Sequence, residues 1–384
     1  MKRLAIITTH PIQYNAPLFE MLTERGNLAI KVFYTWGDAV LENKYDPGFG
    51  KSIEWDIPLL KGYDFTFVKN ASLNAGSHHF GGINNPSLIR EIKEWGPDAV
   101  LVYGWCFKSH LSAMRYFKGR IPVLFRGDST SLQEHSFLKK SLRRIFLKWV
   151  YSFVDYAMYV GSHNKSYYEN FGLNGGQLIF APHSIDNKRF KNIYDQDKGM
   201  INEWKESLGI PNDAIVVLYA GKLDKNKNVG NLVRAFEKLG KKNVHLLIVG
   251  NGGLENSLKA DYSKNEKIHF LPFQNQSRMP LLYGMADLFV LPSIAETWGL
   301  GINEAMACEK AILASSGCGA AVDLIVNAVN GYIFTNNDPQ DIVEKLDLLT
   351  SDSKLLQSMG KLSGEIIKTW SFENICIKLE GLAI

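Results

Sequence analysis

The chain has 384 residues, 46% of them hydrophobic and 21% charged, with a formal net charge of +4. That length allows two domains, each with its own core, and so mild a charge permits an anionic ligand without implying nucleic acid. The opening apolar run Leu4-Ala5-Ile6-Ile7 stops at Thr8-Thr9-His10, too short for a signal-peptide core, and no later run has the length of a membrane span. With Cys106, Cys308, Cys318 and Cys376 scattered and no C-x-x-C pair, reduced thiols in a cytoplasmic protein are expected.

In chain order, short β-branched runs that end in Gly, Pro or polar residues predict strands at 4–8, 30–34, 99–103, 122–125, 156–160 and 178–180. Helical patterns lie between them at 18–25, 88–94 and 110–117. A stretch rich in Asn, Asp and Lys at 186–213 reads as an interdomain linker with one short helical segment near 203–208. The pattern then restarts, with strands predicted at 215–219, 244–249, 268–270, 288–291, 311–314 and 332–334 and a helix at 229–239. The fold class is therefore α/β, two Rossmann-like doubly wound parallel-sheet domains in series, expected at 1–190 and 191–370. Ligands in such sheets bind at the carboxyl ends of strands, and the cleft between two such domains is the natural site.

The most informative segment is 292–307, Pro-Ser-Ile-Ala-Glu-Thr-Trp-Gly-Leu-Gly-Ile-Asn-Glu-Ala-Met-Ala. A strand leads into a Pro/Ser turn, and a helix begins near Trp298–Gly299, where free N–H groups and the positive dipole end favour an anion. Glu296 precedes that end and Glu304 lies on the helix. Taken alone, the pair either holds a polyhydroxylated ligand or consists of a helix cap and a solvated helix residue. Upstream, Gly221-Lys222-Leu223-Asp224-Lys225-Asn226-Lys227 follows another strand, and its lysines either meet phosphate or sit solvated on an exposed turn.

Glu296 and Glu304 are separated by seven residues, and this spacing resembles the paired-glutamate motif of the retaining glycosyltransferases of family 4, which have the GT-B fold. Ala305-Met306-Ala307-Cys308, Gly317-Cys318-Gly319 and Asn330-Gly331 are similar to the same family's second domain, and 221–227 resembles its Gly-basic-Leu-x-x-x-Lys element. Val249-Gly250-Asn251-Gly252-Gly253 resembles its Gly-Asp-Gly turn, and Leu271-Pro272-Phe273 the segment that borders the nucleobase. The sequence departs from the pattern at Lys222, where Arg is usual, at Glu309 and Ala311, where Gly and Pro are common, and at Asp323, where Glu is usual.

The resemblance implies that Glu296 contacts the donor sugar and Glu304 the ribose hydroxyls. It places Gly221, Gly252, Phe273 and the backbone of Thr297, Trp298, Gly299 and Leu300 around the donor, and it gives Lys222 and Lys227 the departing diphosphate. Fixed cations there favour the transition state over the ground state. No metal and no cofactor are expected, the nucleotide sugar being a substrate. A terminal helix from 371 to 384 is expected to pack back on the first domain.

The first domain supplies acceptor candidates. His10, Gln13 and Asn15 follow the first strand and either contact acceptor or diphosphate or simply build a Pro-stabilised turn. Arg126 and Asp128 end another strand, as a catalytic pair (phosphate contact and orientation of the acceptor hydroxyl) or a structural ion pair. His183 either approaches the cleft or caps a strand end. Adjacent His78 and His79 point to opposite sides of an extended chain and do not suggest a shared metal.

Residues 137–149 predict an amphipathic basic helix with apolar positions 138, 142, 145, 146 and 149. It either lies on an anionic membrane surface, as a peripheral contact on the inner face, or buries that stripe in the core; nucleic acid is a lesser possibility. The function expected is transfer of a sugar from a nucleoside-diphosphate sugar to a hydroxyl acceptor, a glycan or lipid-linked glycan, with retention, in bacterial-type polysaccharide or glycolipid assembly. The alternatives are glycosylation of nucleic-acid bases, a hydrolysing sugar-nucleotide epimerase on the same fold, and a non-catalytic sugar- or nucleotide-binding module. Nucleobase, sugar, acceptor and oligomeric state are not legible.

Overall fold

In the computed structural model, which describes residues 1–38, 45–46, 49–52, 54–132, 137–262 and 264–382, every pairing in the two large sheets is parallel. The strands are β1 (Lys2–Thr8), β2 (Leu28–Tyr34), β3 (Tyr45–Asp46), β4 (Lys51–Ser52), β5 (Asp64–Phe67), β6 (Ala99–Tyr103), β7 (Val123–Arg126), β8 (Tyr156–Tyr159) and β9 (Leu178–Phe180). They continue with β10 (Ile215–Ala220), β11 (Val244–Val249), β12 (Ile268–Leu271), β13 (Leu288–Leu291), β14 (Ala311–Ser315) and β15 (Gly331–Phe334). One sheet has seven strands in the order β5-β2-β1-β6-β7-β8-β9, the other six in the order β12-β11-β10-β13-β14-β15, and β3 pairs with β4 as a small antiparallel ribbon. The order reverses beside β1 in the first sheet and beside β10 in the second, the topological switch points of doubly wound folds.

The chain divides into two compact units, Met1–Lys44 with Ile57–His183 and Phe372–Ile384, and Tyr45–Asp56 with Ser184–Ser371. The first sheet is covered on both faces, because successive residues of a strand point to opposite sides. Leu4 and Ile6 of β1 with Ala99 and Leu101 of β6 enter one core; Ala5 and Ile7 with Val100 and Val102 enter the other. The terminal helix Phe372–Leu382 supplies Phe372, Ile375, Cys376 and Leu379 to the first of these cores, and Arg25 grips Glu380 through Nε and Nη2 at 2.6 and 2.8 Å. Residues 383 and 384 lie outside the described part.

All six strands expected in the second half are present, and the helix Val229–Leu239 has the expected bounds. Two expectations need correction. Strand β5 adds a seventh strand to the first sheet; it is a sheet edge with Asp64 exposed and the next three residues all half-buried, a pattern without the alternation that would mark Asp-Phe-Thr-Phe as a strand. The stretch 186–213 is not a linker with a single helical segment but carries the helices Asn187–Gln196 and Lys198–Ser207. Each buries only one or two side chains, Phe190 in the first and Ile201 and Lys205 in the second, so polar residues dominate their sequence.

The helix Phe137–Tyr151 is present, and its core-facing residues are Leu147, Val150 and Tyr151. The reading in which its expected apolar stripe is buried is overturned: Leu142 is 73% exposed, Ile145 70%, Phe146 41% and Trp149 42%. At 100° per residue Leu142, Ile145 and Trp149 lie across the helix from 147, 150 and 151, and Phe146 sits one turn before Val150, between the two sets. The side chains of residues 137–140, with the expected position 138, lie outside the described residues.

Candidate functional site

In the second unit the chemistry gathers where β10 and β13, neighbours at the switch point, end. Lys227 forms an ion pair from Nζ to Glu296 Oε2, and Ser293 Oγ stands 3.4 Å from the same oxygen. The loop that carries Lys227 is tied to the loop that carries Glu296. Ile294 N donates to the Asn226 carbonyl at 2.8 Å, Ala295 N to Asn226 Oδ1 at 3.2 Å, and Asn226 Nδ2 to the Ala295 carbonyl at 2.7 Å. Asp224 accepts from the Lys227 amide at 3.0 Å, and the buried Tyr219 hydroxyl donates to the Lys222 carbonyl at 2.7 Å.

A third loop closes on the second largely through main chain. Glu296 N donates to the Gly317 carbonyl and Gly319 N to the Glu296 carbonyl, both at 3.0 Å, and Ala320 N to the Trp298 carbonyl at 2.9 Å. A Cβ at Gly317 would run into the Ile294 carbonyl oxygen and one at Gly319 into that of Thr297, so only glycine permits this approach. Gly221, Gly250 and Gly252 play the same part between β10 and β11. A Cβ at Gly250 would strike the Gly221 carbonyl, and one at Gly252 that of Leu223. Asn251, in the Gly-Asn-Gly turn, accepts from Phe273 N at 2.9 Å and so fixes the segment expected at the nucleobase.

The expected helix runs over Leu300–Ala307, with Gly299 at its cap in the left-handed region (φ 104°). A side chain there would press on Leu291 Cδ2 at 2.7 Å. The Ile302 amide donates to the Gly299 carbonyl at 2.9 Å, while the first amides of a helix, here those of Leu300 and Gly301, have no acceptor within it, which suits an anion. Thr297 is exposed and Gly299 and Leu300 half-buried, whereas the Trp298 side chain is core: its Nε1 donates to Asn303 Oδ1 at 2.8 Å and its ring lies 5.2 Å from that of Trp370. Glu304 is not the solvated residue that one reading allowed. It is 4% exposed, and the buried Tyr283 hydroxyl donates to its Oε2 at 2.8 Å. Tyr283 and the part played by Asn226 were beyond spacing arguments, since Tyr283 reaches Glu304 from another helix and Asn226 reaches a loop 69 positions away.

In the first unit, Arg126 is buried and its fork is engaged: Nη1 donates to the Ala181 carbonyl at 2.8 Å and Nη2 to that of Pro182 at 2.9 Å. His183 follows directly. Burial and the Arg126 charge lower its pKa to about 4, with Asp128 acting the other way. His183 and Arg126 thus act on each other electrostatically, as does the exposed carboxylate of Asp128 on both. His10 pairs its Nδ1 with Thr9 Oγ1 at 2.9 Å and meets Trp36 edge-on. Gln13 and Asn15 are half-buried in the turn before the helix Ala16–Glu24, where Asn15 N donates to the Ile12 carbonyl at 3.1 Å.

Among the described residues no group of three or more His, Cys, Asp or Glu could hold a metal ion, and no helix is long and apolar enough to cross a membrane. Burial raises the thiols of Cys318 and Cys376 to about 12, so neither is a ready nucleophile.

Two parallel doubly wound sheets in series, with a glycine-shaped cradle of lysines and glutamate at one switch point, define the GT-B class of protein. HepE of Anabaena, crystallised with UDP and glucose, superposes with a TM-score of 0.70 at 17% identity over 99% of this chain and 98% of its own. Residues 200–363 match the family described as glycosyl transferases group 1. A Campylobacter jejuni relative, N,N'-diacetylbacillosaminyl-diphospho-undecaprenol alpha-1,3-N-acetylgalactosaminyltransferase, is 28% identical over 59% of this chain and 58% of its own. The alpha-monoglucosyldiacylglycerol synthase of Acholeplasma laidlawii is 30% identical over 48% and 47%. The chain spans about half the length of the curated relatives it matches.

Proposed function

We propose that the protein transfers a sugar from a nucleoside-diphosphate sugar to a hydroxyl of a glycan or lipid-linked acceptor, with retention of configuration, in the assembly of a polysaccharide or glycolipid. The observation that carries this reading is the Lys227–Glu296 pair between the loops after β10 and β13, with Lys222 in the same loop as Lys227. Lys222 and Lys227 meet the diphosphate, where negative charge grows as the bond from C1 to the phosphate oxygen breaks. The acceptor oxygen bonds to C1 on the same face and passes its proton to the departing phosphate. Glu296 orients the sugar, Glu304 the ribose, and the amides at the start of the helix Leu300–Ala307 receive sugar and diphosphate. Lysines placed in this way do the electrostatic work without a metal. The names of the Campylobacter and Acholeplasma relatives, one acting on a diphospho-undecaprenol sugar and one making a glycolipid, support a lipid-linked acceptor.

The test is a thermal-shift series with UDP, GDP, ADP and CMP. A ligand at a hundred times its dissociation constant adds about 2.7 kcal/mol of stability. One nucleotide is expected to shift the transition, and a flat response to all four would overturn the reading.

A peripheral membrane contact on the cytoplasmic face fits the same function. It is supported by the helix Phe137–Tyr151, where Leu142, Ile145, Phe146 and Trp149 are exposed and the exposed Arg144 and Lys148 lie on the flank beyond Ile145.

A further inference from the structure

Residues 45–56 come early in the chain yet belong to the second unit. Their anchors are polar. Asn275 Nδ2 donates to the Glu54 carbonyl at 2.6 Å, Ser277 N donates to Asp56 Oδ1 and Oδ2 at 3.1 and 3.2 Å, and the Ser277 hydroxyl donates to Oδ2 as well. Two aromatic residues belong to this segment, Phe49 between β3 and β4 and Trp55 between the two anchors. The Phe49 ring meets Phe273 edge-on at 4.9 Å, and Trp55 meets Phe273 from 6.3 Å. All three rings are half-buried, so each keeps part of its surface toward solvent. The Lys222 ammonium lies 5.0 Å from the centre of the Phe49 ring.

One strap therefore touches both ends of the donor nucleotide as assigned above: Phe273, at the nucleobase, and Lys222, at the diphosphate. A flat aromatic ligand carrying phosphate suits a partly exposed aromatic wall beside a cation. A ring face attracts an ammonium and narrows where a long flexible side chain can go.

We propose that Phe49 and Trp55 are part of the nucleotide site, walling the nucleobase beside Phe273, with Phe49 acting as a positioning residue for Lys222. The inference rests on the donor-site reading of Lys222 and Phe273. Phe49 holds the ammonium in place before the diphosphate arrives, so less ordering is left for the binding step.

Calorimetric titration of the full chain with UDP, GDP and ADP tests this, using whichever of the three the wild type binds most tightly. Phe49→Ala and Trp55→Ala are each expected to weaken that nucleotide about tenfold, and Phe49→Tyr, which keeps the ring face, to restore it. In a Lys222→Ala background, Phe49→Ala is expected to cost less than in the wild type, the coupling a positioning role requires and a merely structural one does not. Unliganded melting curves confirm that each variant folds, and Phe49→Leu, which fills the space without a ring face, is expected to behave as Phe49→Ala. Wild-type binding with Phe49→Ala and Trp55→Ala unchanged overturns this inference alone. No binding by the wild type overturns the donor-site reading and the inference with it.

Discussion

Lys227 and Glu296 stand 69 positions apart and meet as an ion pair in which each side chain is only about one-fifth exposed. Removing one partner leaves the other charge poorly compensated. Lys227→Met or Glu296→Gln alone should cost about 1–2 kcal/mol in urea unfolding, and the double variant less than the sum. Lys227→Met should also weaken nucleoside-diphosphate binding by about tenfold or more. A Glu296→Gln protein with wild-type turnover would remove any essential role for the carboxylate.

The Gly-Cys-Gly loop gives a sharper test. Gly319→Ala would place a methyl group against the Thr297 carbonyl oxygen, whereas a Cβ at Gly253 meets nothing within 4 Å. Gly319→Ala should lower the melting temperature and nucleotide affinity together, while Gly253→Ala leaves both near wild type. Equal behaviour of the two variants would argue against the close loop approach.

Glu309 sits at φ 57° where the resemblance leads one to expect glycine. A non-glycine residue in this region carries a backbone cost of about 1–2 kcal/mol. Its ion pair with Lys191, at 2.9 Å with both side chains about one-third exposed, returns little. Glu309→Gly should raise stability by about 1 kcal/mol, or roughly 2–4 °C in a thermal scan. A lower melting temperature would show that the ion pair outweighs the backbone term.

His110 is fully buried, with Nδ1 at 3.0 Å from the Tyr103 and Gly104 carbonyls and Nε2 at 2.8 Å from Thr35 Oγ1. Burial lowers its pKa from 6.5 to about 4. Below pH 6.5 the unfolded imidazole takes up a proton that the folded one refuses, so its contribution is complete above pH 6.5. It is lost as the pH falls toward 4, at about 1.4 kcal/mol per pH unit. His183 and His269, also lowered to about 4, act in the same direction. Urea unfolding across pH 4–7 should show this slope, and His110→Gln should reduce it; an unchanged slope would mean the ring is already charged in the fold.

The outer face of the helix Phe137–Tyr151 predicts binding to vesicles rich in anionic lipid and not to purely zwitterionic ones. The Leu142→Ser/Ile145→Ser pair, at positions 73% and 70% exposed, should reduce sedimentation with anionic vesicles without changing the melting temperature. Equal sedimentation of variant and wild type would assign those residues another role.

Much of this was legible in sequence because both sheets are built from short runs that obey one rule, strand then turn then helix. Glu296 and Lys227 could be named by type and by place at strand ends. Their pairing could not, because it depends on β10 lying beside β13, a neighbour set by sheet order. Polar composition hid the helices at 187–207, where Asp186 caps the first by accepting from Arg189 N at 2.9 Å, a local signal outweighed by the lack of apolar residues. The segment 49–56 offered no motif at all, since its partners Asn275 and Ser277 lie 221 positions away.

The loops at 294–297 and 317–319 are joined through carbonyls, amides and two glycines, while Ile294 and Thr297 keep their side chains exposed. Form and preference are thereby uncoupled. An exchange at position 294 or 297 alters what a sugar would touch without unfastening the bonds that hold the cradle open. Variants selected for a new donor should accumulate at those two positions and leave 317 and 319 unaltered.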